Sequence, residues 1–176
     1  MKYFTPELLE RVASLDDDVA DDAQDEWERA IVRSNRHWQK IKKAFPAGVR
    51  RFEEDHVCLH DAQVVRMGRD GDTFVMVLEM EPPSRNLVVL TFTLDTEPEI
   101  DARALPGQRE HEFVTWLYEE WDLDRGKRCR FEVILSNGWS VRLCFREFQY
   151  LILPPILPAR DGQVLATPPA TVPRPA

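Results

Sequence analysis

The chain has 176 residues, 43% hydrophobic and 31% charged, with a formal net charge of −8. That length can bury a sizeable core without disulfide or metal staples. The negative charge argues against a nucleic-acid partner, because neutralising phosphates takes a surplus of Lys and Arg.

No run is long and apolar enough to read as a membrane span. The opening "MKYFTPELLERV" lacks the apolar stretch of a secretory signal. Cys58, Cys129 and Cys144 stand in apolar, strand-like contexts and read as buried free thiols. A cytoplasmic protein is expected.

Thr5-Pro6-Glu7 has the form of a helix start: a capping hydroxyl, Pro at the first helical position, then an acid. A short helix to about Leu15 follows. A second, long helix is expected over 16–45. Its Trp27, Ile31, Ser34, Trp38, Ile41 and Phe45 recur at spacings of four and three, on one face. Its front is acidic (Asp16, Asp17, Asp18, Asp21, Asp22, Asp25, Glu26) and its rear basic (Arg33, Arg36, Lys40, Lys42, Lys43). That order suits the helix dipole. Unbroken, the helix spans about 45 Å, so a break near Ser34-Asn35 is an open alternative.

From about Val57 the pattern alternates. "TFVMVLEME" and "NLVVLTFTL" read as strands joined through "PPSR". "FVTWLYEEWDL" reads as a strand with Phe113, Thr115, Leu117, Glu119, Trp121 and Leu123 on one face. "CRFEVIL" and "WSVRLCF" form a hairpin whose register follows from parity. A three-residue loop, Ser136-Asn137-Gly138, pairs Val133 with Val141 and Phe131 with Leu143. A two-residue loop would turn the two apolar faces to opposite sides. The class is α+β: two or three N-terminal helices packed on an antiparallel meander sheet of about six strands. One domain is expected over 1–153. Residues 154–176 hold seven of the thirteen prolines and read as a largely disordered tail. Within it "PILPAR" fits a Pro-x-x-Pro-x-basic ligand pattern.

Chemistry, if present, centres on "HVCLHDAQVV". His56 and His60 share a face at even spacing, but on a regular strand Asp61 points away from His60. Glu119 falls on the apolar face and is expected to be buried, paired with an Arg or with His60. No phosphate-binding glycine loop or nucleophile elbow is present. No catalytic residue is assigned and no cofactor is expected.

"MKYFTPEL", "LHDAQV" at the entry to a meander and "WLYEEWDL" before the closing hairpin resemble a family of small uncharacterised bacterial proteins. The Leu-His-Asp entry is also similar to that of some toxin-immunity families. The resemblance covers about residues 1–153. It implies an α+β fold, a bacterial cytosol, and His60, Asp61, Glu119 and Glu120 as family-like positions, with no reaction.

The expected function is therefore non-catalytic binding of an unidentified protein partner, as an immunity-type or regulatory module. Asp61 would then accept backbone N–H bonds at the strand entry, and His60 would bond Glu119. The alternative is a metal-assisted hydrolase using His56, His60, Asp61 and Glu119, with Glu119 or Glu120 as general base.

Overall fold

The computed structural model describes residues 1–102, 113–124 and 126–155. The Pro-rich segment 154–176, with its "PILPAR" pattern, lies outside them except for Pro154 and Pro155.

Helix α1 (Pro6–Val12) begins as the sequence requires: Thr5 is extended and its hydroxyl accepts the Leu8 N–H. Helix α2 (Asp17–Ile41) is capped by the Asp16 carboxylate, which accepts from the N–H groups of Asp18 and Val19. It runs unbroken through Ser34-Asn35 for 25 residues, about 37 Å, and tightens into a 3-10 turn at Lys42–Ala44. Pro46 then opens α3 (Ala47–Glu54). The α2 stripe Ala23, Trp27 and Ala30 is buried against Phe4 and Leu8 in a small core. Ile31, expected on that stripe, is 40% exposed; it rims a cavity beside β5 instead.

The strands are β1 (Gln63–Asp70), β2 (Thr73–Glu79), β3 (Leu87–Leu94), β4 (Glu99–Asp101), β5 (Trp116–Leu123), β6 (Cys129–Leu135) and β7 (Ser140–Leu153). They form one antiparallel sheet in the order β1-β2-β3-β7-β6-β5, with β4 beside β7. Two meanders, β1–β3 and β5–β7, are thus joined edge to edge. The 14-residue β7 makes the join: Ser140–Phe145 pair with β6, and the stretch from Phe145 to Leu153 pairs with β3. The sheet curls until its ends meet at one corner, where Gln63 bridges to Thr115. The β6–β7 hairpin has the register selected by parity, with Phe131 opposite Leu143 and Val133 opposite Val141. Gly138 occupies the left-handed region at φ +80°, which glycine adopts at no steric cost.

The inner face of the curl is apolar and aromatic. Phe92, Trp121, Phe131, Phe145 and Phe148 interlock, with ring centroids 4.6 Å apart for Trp121–Phe131 and 4.9 Å for Phe92–Phe148. Val49 and Phe52 of α3 enter this core. The approach of α3 to β7 is so close that a Cβ on Gly48 would lie 2.0 Å from the Phe148 carbonyl oxygen. On the outer face of β5, Tyr118 packs against the small core under α1 and α2. Strand β5 therefore joins the two cores, one on each face.

Three expectations are corrected. Strand β1 starts at Gln63, not near Val57, because His56 and Asp61 take positive φ (50° and 64°) and interrupt the extended chain. Cys58, in that interrupted link, is exposed; Cys129 is buried and Cys144 partly so. The third lies in β5. Its pairing slips between Trp116 and Tyr118, so Trp116 faces Leu135 while Tyr118 faces Ile134. The extra residue, Leu117, is a bulge that reverses parity. Trp116 is consequently fully buried, and Phe113 is 53% exposed instead of lining the apolar face.

Candidate functional site

The residues singled out in the sequence make three sets of contacts. The first is at the turn before β1. Leu59 and Ala62 are buried and pin its ends, and the turn is stitched to β5. The Asp61 N–H donates to the Trp116 carbonyl (2.8 Å), and the Trp116 N–H to that of Ala62 (2.9 Å). His60 Nδ1 lies 2.7 Å from Asp61 Oδ2, and its Nε2 lies 3.1 Å from the Tyr118 hydroxyl. His60 thus bonds Asp61 and Tyr118, not Glu119. The Asp61 carboxylate serves the imidazole and accepts no backbone N–H among the described residues.

A carboxylate–imidazole–phenol chain has the outline of a nucleophile with its base. The electrostatics point the other way. Burial, and then the charge of Asp61, push the Tyr118 phenol above its ordinary value, so the hydroxyl stays protonated and is not activated. Asp61 fixes the ring at Nδ1, and the Tyr118 hydroxyl bonds it at Nε2. The chain of bonds ties the turn to β5. Both His60 and Asp61 are more than a third exposed, so His60→Ala is expected to lower stability by no more than about 1 kcal/mol. Urea unfolding in the presence of zinc and of a chelator checks this; a loss that depended on zinc would make the turn a metal site instead.

The second is at a cavity of about 160 Å³ between α2, α3 and β5. The bulge at Leu117 turns Glu119 toward it. Trp116 Nε1 donates to Glu119 Oε2 (2.6 Å), and Trp121 Nε1 donates to Glu53 Oε1 (2.7 Å). Glu53, Glu119 and the edge of Glu120 line this cavity, with Phe4, Ile31, Ser34, Trp38 and Trp121. Burial pushes the Glu119 carboxyl up to about 7; the indole bond opposes the rise and the charge of Glu53 adds to it. Burial likewise raises Glu53, against its own indole bond. Glu53 was not legible as a partner of Glu119: it belongs to α3, and only the docking of that helix brings it there.

The third set is that of Glu120, on the opposite face of β5. Its two oxygens accept the N–H groups of Lys2 (2.7 Å), Tyr3 (2.7 Å) and Phe4 (2.8 Å). Beside it on β6, Glu132 takes the Met1 ammonium (2.8 Å) and the Arg142 guanidinium. Burial alone would raise the Glu132 carboxyl, but these two cations outweigh it and hold it below the usual carboxylate range. Glu120 and Glu132 are among the buried charged residues, and both fasten the N-terminal segment. Asp122, further along β5, bonds His37 of α2 (2.7 Å) and Arg130 (2.7 Å) in the same manner.

Among the described residues no three His, Cys, Asp or Glu side chains gather as a metal-holding group. His56, His60, Asp61 and Glu119 are accordingly not brought together: His60 and Asp61 bond each other in the exposed turn, while Glu119 turns to Trp116 and the cavity. No protein-family model, no curated protein and no solved structure matches the chain.

Proposed function

We propose that the protein is a non-catalytic binding module of immunity or regulatory type, and that it presents the first half of α2 to a basic protein partner. The observation that carries this reading is a row of unpaired acids. Asp17, Asp18, Asp21, Asp22, Asp25 and Glu28 are all exposed, and among the described residues none of them forms an ion pair. Only Glu26 in this stretch is matched, by Arg11 at 2.7 Å. The helix dipole favours acids in the first turn and fades beyond it. Asp21, Asp22, Asp25 and Glu28 lie past that turn. Like charges four apart, as in Asp17–Asp21, Asp18–Asp22 and Asp21–Asp25, each cost about 0.2–0.5 kcal/mol. A basic partner relieves that cost on docking and is steered in by it. Exposed Leu15 and Val19 beside the acids supply apolar contact. The resemblance of "MKYFTPEL", "LHDAQV" and "WLYEEWDL" to small uncharacterised bacterial proteins, and of the Leu-His-Asp entry to that of some toxin-immunity families, supports the same reading and a bacterial cytosolic setting.

The triple variant Asp21→Asn, Asp22→Asn, Asp25→Asn tests it. It is expected to be more stable by about 1 kcal/mol, a melting rise of about 2–4 °C, and to lose partner binding. The measurement is retention of source-lysate proteins on the immobilised wild type and variant at low and high salt. Equal retention by both, or none by the wild type, overturns the reading.

A further inference from the structure

The outward face of α2 carries a row of cations as well as the row of acids. Asp18, Asp22 and Asp25 of its first half and Arg33, Arg36 and Lys40 of its second are all exposed. At 100° per residue the six fall within an arc of about 80°, turned away from the buried Ala23, Trp27 and Ala30. Among the described residues none of the six forms an ion pair. The helix dipole accounts for Lys40, in the last turn, but not for Arg33 and Arg36, which precede it. The two rows are mirror images. The acids are spaced four and then three apart, the cations three and then four. Positions 18 and 40, 22 and 36, and 25 and 33 are each centred on Arg29. A copy of the helix turned end for end about Arg29 therefore sets every acid of the row opposite a cation. Parallel helices would instead set acid against acid.

We infer that α2 is a self-pairing face: a second copy of this chain docks on it antiparallel, about a two-fold axis at Arg29. Asp18 of one copy then meets Lys40 of the other, Asp22 meets Arg36, and Asp25 meets Arg33. A two-fold interface makes each contact twice, so three pairs in the sequence become six in the dimer. Arg29 lies on the axis, within about one turn of Asp25 in the other copy, and Val32, 48% exposed, adds apolar contact beside it. The inference rests on the reading of α2 as a binding face, and names a second copy as what meets its acids.

Size and charge fix the character of the pairing. A contact along about 37 Å of helix and about 10 Å wide covers about 400 Å² per copy, the extent of a weak, transient interface. Each copy carries a net charge of −8, so two copies repel at long range. Salt at about 0.1 M confines that repulsion to about 10 Å, while charges in direct contact still attract. At about 1 M the exposed pairs are themselves screened. Association is therefore present at moderate salt and lost at high salt.

The test is sedimentation equilibrium of the full chain at rising concentration. In about 0.1 M sodium chloride the mass is expected to climb from 20.5 kDa toward twice that value, and in about 1 M to stay at 20.5 kDa. Asp22→Arg alone and Arg36→Asp alone are each expected to weaken association about tenfold, because each sets like charges opposite one another. The double variant Asp22→Arg, Arg36→Asp keeps the net charge and restores the pair, so it is expected to associate as the wild type does. Asp22→Arg with Arg33→Asp keeps the same net charge but sets Arg against Arg36 and Asp against Asp25, and is expected to stay monomeric. All of these positions are exposed, so the variants are expected to fold. A wild type that stays monomeric in about 0.1 M salt, a dimer unchanged at about 1 M, or equal association of the two double variants overturns the inference. A monomeric wild type that still retains lysate proteins through Asp21, Asp22 and Asp25 overturns this inference alone and leaves the proposed function standing.

Discussion

Gly48→Ala is expected to destabilise the protein by about 3–5 kcal/mol, in the range of severe overpacking. Helix propensity alone gives the opposite sign, because Ala is favoured over Gly within a helix by about 1 kcal/mol. Gly48 lies in the first turn of α3, and its φ is not in the left-handed region, so the backbone itself would accept Ala. The obstacle is across the interface. The new Cβ would sit 2.0 Å from the carbonyl oxygen of Phe148 and 3.1 Å from its carbon. Both are backbone atoms of a strand paired to β3, and neither can swing aside. Helix α3 has to lift, and Val49 and Phe52, both at most 2% exposed, lift with it. Urea unfolding of purified wild type and variant checks the sign; a variant as stable as the wild type would mean that α3 sits further from β7.

Glu119→Gln is expected to stabilise the protein at pH 8 by about 2–3 kcal/mol and to change little below pH 4.5. The folded chain holds the Glu119 proton up to about pH 7, whereas a freely solvated carboxyl releases it near 4.5. The raised value therefore contributes stability in full below about 4.5, and that contribution is lost as pH climbs to 7. Above 7 an ionised carboxylate stands partly buried, facing Glu53. Gln presents the same shape, still accepts from the Trp116 indole, and never ionises. Denaturant unfolding at pH 4.5, 6 and 8 separates the cases; a gain equal at all three would show that charge is not its cause.

Much of the fold was legible because it rests on local periodicity. The Thr5 cap, the helical stripe through Trp27 and the β6–β7 register each follow from side chains a few residues apart. The register was fixed by one requirement, that Phe131 and Val133 share a side with Leu143 and Val141. The site was less legible, for two physical reasons. A single extra residue at Leu117 reversed parity within β5, so that Trp116 became a core residue and the indole partner of Glu119. Parity counted from Phe113 placed Trp116 on the wrong face. The remaining partners are distant in sequence: Glu53 meets Trp121 across 68 residues, and His60 meets Tyr118 across 58. Nothing in the composition of α3 marks Glu53 apart from Glu54. The carboxylates at 119 and 120 illustrate the same limit. They are neighbours on one strand, yet one takes the Trp116 indole and the other binds three backbone amides of the N-terminal segment.

That last attachment bears on the order in which the molecule assembles. Glu120 holds residues 116 to 118 positions away, and closing so long a loop costs entropy before any contact repays it. Helices α1 and α2 can coil early from their own caps and local pairs. The small core around Trp27 takes its floor from Tyr118 of β5, and β5 takes its register from β6. Residues 1–4 are thus expected to be seated late in folding, joining the helical layer to the sheet through long-range bonds.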